Sequence, residues 1–270
     1  MLGDKEIAVV GVGAMGGSLV RALAAHPDVS PASVRAFDVR RAVARALGRQ
    51  TGVRVCAALE ECLAGADVVL ICVKPHQVEP CLRQFEGLVS GNELFISVAA
   101  GVSTERIEAL LPAQSAVVRA MPNIASTVGQ AASALAPGRH VSRAQMRLAL
   151  EIFRAAGAAF EVEEAQIDAV TGLSGSGLAY AFLFIEALAD GGVREGLPRD
   201  LALALAAQTL VGAGEMVRTL GKHPAQLKDS VCSPGGTTIE ALATLEGRGF
   251  RGAVIDAVSA AARRSRQLGS

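Results

Sequence analysis

The run Gly11-Val12-Gly13-Ala14-Met15-Gly16 stands between a short apolar segment and an Ala/Leu-rich one. Glycines at this spacing, between a strand and a helix, make a turn that holds a pyrophosphate. Gly11 permits the tight turn, Gly13 lets phosphate approach the backbone, and the helix start offers N–H donors and positive partial charge. About twenty residues beyond Gly16, Asp38 ends the next apolar run, where a carboxylate hydrogen-bonds the ribose 2′-hydroxyl of NAD. Arg40 and Arg41 follow at once, and their guanidinium groups can instead clamp the 2′-phosphate of NADP. These residues leave NADH and NADPH both open.

Three further runs end in loops that suit the same chemistry: Val73-Lys74-Pro75, Ala99-Ala100-Gly101 and Met121-Pro122-Asn123. In open α/β sheets ligands bind at the carboxyl edge. Small residues at 99 to 101 let a flat nicotinamide ring lie on backbone, and the Asn123 amide can hydrogen-bond its carboxamide or ribose. A second kind of turn, Ser233-Pro234-Gly235-Gly236-Thr237-Thr238, precedes the helical period Ile239, Leu242, Leu245. Its N–H groups and hydroxyls at a helix start form a cradle for a small carboxylate, or a plain helix cap.

The elements that must position these residues fall into two regimes. From Glu6 to about Glu163, β-branched runs alternate with Ala/Leu/Arg-rich stretches, with strands predicted at 7–11, 34–38, 53–56, 67–73, 94–99, 116–120 and 158–162. Runs such as Val68-Val69-Leu70-Ile71-Cys72-Val73 do not alternate with polar residues, so both faces must be covered. The expected fold is α/β, a Rossmann-type doubly wound sheet over residues 1–164. Residues 165–270 carry no strand pattern, and helices are predicted at 167–191, 198–221, 224–230, 237–246 and 250–268. The first two are apolar around most of their circumference, more than about 105 residues can bury alone, so a second copy is expected to cover them as a homodimer. Within the first, Thr171-Gly172-Leu173-Ser174-Gly175-Ser176-Gly177 is too glycine-rich for a helix on propensity, and close packing must compensate.

Composition closes off other classes. The chain is 51% hydrophobic and 19% charged, the balance of a large buried core. Lys plus Arg and Asp plus Glu both number 26, and aromatic residues make up 3%, so neither a field nor stacking surface invites nucleic acid. The apolar stretch Leu178 to Ile185 is stopped by Glu186 and Asp190 short of a bilayer span of about 20 residues, so no membrane crossing is expected. Five cysteines form no CxxC pair and four histidines show no ligand spacing, so no metal is expected and the thiols read as core filler. Lys5 alone precedes the first apolar run, without a basic region or cleavage pattern, and a cytoplasmic location is expected.

The stretch His223-Pro224-Ala225-Gln226-Leu227-Lys228-Asp229-Ser230-Val231-Cys232-Ser233-Pro234-Gly235-Gly236-Thr237-Thr238, with Leu245-Glu246 and Gly249-Phe250-Arg251, closely resembles the signature of pyrroline-5-carboxylate reductases. The resemblance extends through the glycine turn, Val73-Lys74-Pro75, Ser97 to Gly101, Met121-Pro122-Asn123, Ser174 to Gly177 with Ala179-Tyr180, and Glu195 to Asp200. It implies NAD(P)H-dependent reduction of the cyclic imine Δ1-pyrroline-5-carboxylate to L-proline. It also implies a Rossmann domain followed by a helical dimerisation domain, with the active site between them and larger oligomers open. On this resemblance Thr238 hydrogen-bonds the imine nitrogen, Ser233, Gly236 and Thr237 cradle the carboxylate, and Glu164 lines the substrate site. The sequence departs from the family pattern at Leu178, at Ile124-Ala125-Ser126, at Ser230 and Cys232, and at Asp38, where smaller polar residues are common. The rival readings are another imine or 2-hydroxyacid reductase and a non-catalytic NAD(P)-binding scaffold. A hydroxyacid enzyme wants a lysine or histidine proton donor early in its helical domain, and residues 165–185 hold neither.

Overall fold

Eight strands make one sheet in a computed structural model that describes residues 2–269. They are β1 (Ile7–Val10), β2 (Val34–Phe37), β3 (Arg54–Val55), β4 (Val68–Ile71), β5 (Leu94–Ser97), β6 (Ala116–Met121), β7 (Ala131–Pro137) and β8 (Gly157–Glu161), in the order β3-β2-β1-β4-β5-β6-β7-β8. Successive residues of the central strands feed opposite cores. Ile7, Val9, Val68, Leu70, Leu94 and Ile96 pack on one face, with Leu19 and Leu23 of α1 (Ala14–Ala24) and Leu47 of α2 (Arg41–Thr51). Ala8, Val10, Val69, Ile71, Phe95 and Val117 pack on the other, with Leu63 of α3 (Leu59–Leu63), Leu82 of α4 (Val78–Arg83) and Ile107 of α5 (Thr104–Glu108). Burial on both faces removes any need for polar alternation, and the doubly wound reading of these runs holds. Returning to the first face, α6 (Arg143–Arg154) starts at a Ser142–Gln145 capping box and buries Met146, Leu150 and Phe153.

One strand departs from the sequence pattern. β7 reads AASALAP, alanine-rich, ending in proline and without a β-branched residue, so local propensity offers no strand there. Pairing supplies what propensity lacks: β7 runs antiparallel to β6, with Met121 opposite Ala134, and parallel to β8. The sheet is therefore mixed at this end. The expected helix over 167–191 is also interrupted. It comprises α7 (Ile167–Val170), a π-helical turn at Thr171–Gly175, and α8 (Gly177–Arg194). A Cβ on Gly175 would stand 2.6 Å from the Met121 Cε, the movable tip of a flexible side chain, and one on Gly177 would meet nothing within 4 Å.

By compactness the chain divides after Ser176, and the stretch from Ser259 onward returns to the sheet unit. Residues 165–176 lie with the sheet, because Ile167 packs against Ala134 and Ala136. The return of the chain end is fixed by a hydrogen bond from Ser265 Oγ to Asp168 Oδ1 at 2.6 Å.

The other unit, Gly177–Val258, contains α8, α9 (Arg199–Leu220), α10 (Pro224–Ser230), α11 (Thr237–Gly247) and the first part of α12 (Phe250–Gly269). α8 and α9 meet through Ala189, Ala202 and Ala206, with Ile185 and Val193 at the margin. The Tyr180 hydroxyl donates to the Ala257 carbonyl at 3.4 Å, and the Phe184 and Phe250 rings lie 5.6 Å apart. Small side chains at the contact bring the helices close but remove little apolar area from water. Phe182, Leu183, Leu201, Leu203, Leu205 and Val211 are left exposed.

The stop that Glu186 and Asp190 place on the stretch Leu178 to Ile185 does not bound the helices by length and composition. Glu164–Arg194 and Arg199–Leu220 are each long and apolar enough to cross a membrane by length and composition alone. The sequence reading counted only Leu178 to Ile185, but the uncharged helical path already begins after Asp168. Helices covered by another polypeptide have the same composition.

Gly157 opens β8 at φ +148°, and a Cβ there would stand 2.8 Å from the Ala131 Cα of its paired residue. Gly157→Ala is expected to destabilise the sheet unit by about 3 kcal/mol, read as a lower midpoint of urea unfolding.

Candidate active site

Strand register lines the carboxyl ends up. Phe37, Val10, Ile71, Ser97 and Arg119 are consecutive partners across β2, β1, β4, β5 and β6. Each residue after this row therefore starts a loop on one edge of the sheet: Asp38, Gly11, Cys72 and Val98. Chain order reverses between β1 and β4, the topological switch where α/β sheets take ligands.

The glycine turn is built as its residue types require. Gly11 has φ +91°, its N–H donates to the Phe37 carbonyl at 2.8 Å, and a Cβ would meet the Cys72 carbonyl at 2.8 Å. A Cβ on Gly16 would collide with the Gly11 carbonyl and stand 2.9 Å from the Cys72 Cβ. Gly13 is the N-cap of α1 and supplies no side-chain acceptor, so the first-turn N–H groups, from Ala14 and Met15 onward, remain for a ligand. Backbone room, uncapped donors and the helix dipole together fit a dinucleotide pyrophosphate.

Asp38 sits beside this turn and is buried. Its Oδ2 accepts the Val12 N–H at 3.0 Å, and its Oδ1 accepts the Arg40 N–H at 2.8 Å and lies 3.4 Å from Arg40 Nε. Burial pushes the carboxyl's pKa up, but the N–H groups of Arg40 and Val12 and the Arg40 guanidinium outweigh it and hold the group below its ordinary range. Arg41 reaches the Ala57 carbonyl at 3.4 Å.

The other strand-end residues divide by role. Val73, Lys74 and Pro75 follow β4, with Lys74 exposed, and Pro75 borders a depression of about 320 Å³ whose polar lining is His76, Glu79, Arg83 and Arg106. Ala99 is buried, whereas Ala100 and Gly101 are half-buried in a turn with Gly101 at φ +75°. The Asn123 amide is engaged within the fold: Nδ2 donates to the Ser174 carbonyl at 3.1 Å, and Oδ1 accepts the Ala132 N–H at 3.3 Å. One amide hydrogen remains for a ligand. The turn after it is tied to the glycine helix through Ser126 and Ser18, whose hydroxyls lie 2.7 Å apart.

Both oxygens of Glu164 are taken up. Oε1 accepts the Thr104 N–H at 2.8 Å and lies 3.3 Å from Arg119 Nη1, and Oε2 accepts the Thr104 hydroxyl at 2.6 Å. The Arg119 side chain is only 9% exposed. Sequence reasoning missed Thr104 and Arg119. The signal was an arginine inside the otherwise apolar run Ala116–Met121, which demands a buried partner.

In the helical unit, Gly235 at φ +64° turns the chain into α11, whose N-cap Gly236 carries no side-chain cap. The Gly236 N–H donates to the Ser233 carbonyl at 3.0 Å, folding Ser233 over the helix start. Thr244 donates its hydroxyl to the Glu240 carbonyl one turn back at 3.1 Å. Thr238 is the second residue of α11 and half-buried, and the residue one turn back is Pro234, outside the helix. The cysteines add no chemistry here: burial pushes Cys72 and Cys62 up to about 12 and Cys81 to about 11, and they stay protonated at neutral pH.

Comparison with known proteins gives a consistent result. A family model described as pyrroline-5-carboxylate reductase dimerisation matches residues 164–268, and one described as NADP oxidoreductase, coenzyme F420-dependent, matches residues 6–101. Pyrroline-5-carboxylate reductase of Methanosarcina acetivorans is 42% identical, and that of Synechocystis 43%, each alignment covering 98% of both chains. Among solved structures, the Coxiella burnetii pyrroline-5-carboxylate reductase superposes with TM-score 0.93 at 34% identity, covering 98% of this chain and 99% of that one. The Plasmodium falciparum enzyme with NADP bound gives 0.87 at 29% identity, covering 99% of each.

Two outcomes follow from the site's electrostatics. Glu164→Ala strands Arg119 and is expected to cost about 2–4 kcal/mol in urea unfolding, below a fully buried pair because the carboxylate is 30% exposed. Because the folded pKa of Asp38 is depressed, its stabilisation is present above the unfolded value of about 3.9 and lost as pH falls through the folded one. Unfolding midpoints between about pH 5 and 3 should therefore fall more steeply for the unsubstituted chain than for Asp38→Asn.

Proposed function

Because the chain belongs to the pyrroline-5-carboxylate reductase family, we propose how its residues share the reduction of a cyclic imine. The protein is an NAD(P)H-dependent oxidoreductase acting on a C=N bond, converting Δ1-pyrroline-5-carboxylate to L-proline. The match over 98% of the chain carries this conclusion.

When bound, the reduced nicotinamide supplies the hydride. The turn from Gly11 to Gly16, with Val12, Gly13, Ala14 and Met15, holds the pyrophosphate on the uncapped N–H groups of α1. Asp38 and Arg40 take the adenosine end; Val73, Lys74, Pro75, Ala99, Ala100, Gly101 and Asn123 take the nicotinamide end. Ser233, Gly236 and Thr237 bind the substrate carboxylate with helix-start N–H groups and hydroxyls, supported by the missing cap at Gly236. Thr238 donates a hydrogen bond to the imine nitrogen, polarising the carbon that accepts hydride. The nitrogen's proton comes from water, because a threonine hydroxyl is too weak an acid to give it up at neutral pH. Glu164 serves the substrate site by holding Thr104, which opens the helix after the 99–101 loop.

The chain carries a dimerisation domain. We read the assembly as a homodimer through the helical unit, supported by the apolar side chains that α8 and α9 leave exposed. Five free thiols suit a reducing, cytoplasmic setting.

Incubation with NADH or NADPH and pyrroline-5-carboxylate should consume reduced-nicotinamide absorbance and yield proline; cofactor binding without oxidation would favour a scaffold. Thr238→Ala is expected to lower kcat by about 100-fold with cofactor Kd unchanged, and unaltered turnover would remove Thr238 from the mechanism. Light scattering should report at least a dimer, and a monomer would refute the interface.

A further inference from the structure

We infer that Asp38 makes this enzyme favour NADH over NADPH, by hydrogen-bonding an unmodified adenosine ribose and repelling a 2′-phosphate. The inference rests on the reductase assignment for its biological meaning but not for the binding that tests it. Asp38 directly follows Phe37, the register partner of Val10, so its carboxylate stands at the edge of the pyrophosphate turn, where a ribose must lie. The residues fit such a ligand: a Cβ on Gly13 would meet nothing closer than Arg40 Nη2 at 3.6 Å, so the turn is open there, and α1 begins without a side-chain cap.

The carboxylate is held from behind. Val12 N–H donates to one oxygen and Arg40 N–H to the other, and an ionised carboxylate has about four acceptor positions. Oδ1 also takes Arg40 Nε at 3.4 Å, so Oδ2 is the oxygen that keeps a lone pair for a ribose hydroxyl, which can donate. A 2′-phosphate offers acceptor oxygens and negative charge to a group that only accepts. The depressed pKa of Asp38 keeps it charged across the physiological range, so protonation does not relieve the clash.

The arginines do not reverse this. Arg40 Nε lies 3.4 Å from Asp38 Oδ1, which offsets the carboxylate locally and gives an approaching phosphate no net positive charge. Its Nη2 lies 3.6 Å from the Cβ position of Gly13, over the pyrophosphate turn that both cofactors share. Arg41 is turned to the Ala57 carbonyl. Arg40 thus serves either cofactor, and Asp38 discriminates between them.

Calorimetric titration of the intact protein with ADP-ribose and with 2′-phospho-ADP-ribose isolates the 2′-group without turnover. ADP-ribose is expected to bind at least about ten-fold more tightly. Asp38→Ser should abolish or invert that ratio, whereas Arg40→Ala should weaken both ligands by a similar factor. If Asp38→Ser fails to fold, as circular dichroism would show, Asp38→Asn, which keeps one acceptor and removes the charge, should still shrink the ratio. Equal or tighter binding of the 2′-phosphorylated ligand to the unsubstituted protein, or a ratio unmoved in the folded variant, overturns the role of Asp38 and leaves the reductase assignment standing. Binding of neither ligand overturns both the inference and the dinucleotide site. Proline formation from pyrroline-5-carboxylate, measured separately, decides the reaction whatever the ratio.

Discussion

The cofactor half of this protein depends on register. Parallel pairing places Phe37, Val10, Ile71, Ser97 and Arg119 in one row, so four loops start directly after it on the same edge while β6 runs two residues further. Shift β1 by one residue and its side chains exchange cores, because Ile7 and Val9 belong to one face and Ala8 and Val10 to the other. Two-sided burial therefore fixes the loop positions as firmly as it fixes the core. The loop residues that could carry chemistry occupy places that apolar packing has already determined.

The helical unit obeys a different constraint. The contact of α8 with α9 centres on alanines, which permit close approach but bury little, and Phe182, Leu183, Leu201, Leu203 and Leu205 face outward. A sequence that keeps so much apolar surface uncovered within one chain specifies assembly as part of folding, because association then supplies the burial that the single copy lacks. The glycine turn and the Ser233–Thr238 turn share one physical device, a helix start with no side-chain cap whose backbone donors are left available to an anionic group.

Much of this was readable from residues alone, and the failures share a cause. The unbroken apolar runs of β1, β4 and β5 and the glycine spacing announced a doubly wound sheet because local pattern and tertiary environment agree there. β7 was illegible because Ala131–Pro137 is a strand only by virtue of its neighbours. The π turn at Thr171–Gly175 packs near Met121, some fifty residues earlier in the chain, and no local pattern announces it. For Glu164, resemblance marked the position, but its partners Thr104 and Arg119 come from elements that no spacing rule connects. Asp38 shows the reverse case: its place after β2 was plain, but the hydrogen bonds that orient its carboxylate became visible only in three dimensions.

The hydrogen bond between Ser265 and Asp168 joins the last helix to the sheet unit, and Ala262 and Ser265 are buried beside it. The helical segment is thus an excursion with two covalent crossings rather than an appended tail. A fluorophore or affinity handle fused after α12 would travel with the nucleotide-binding half, although the residues just upstream belong to the assembling half. A single cut after Ser176 would leave the helical segment tied to residues 1–176 through the non-covalent contacts of the end of α12, such as Ser265 with Asp168.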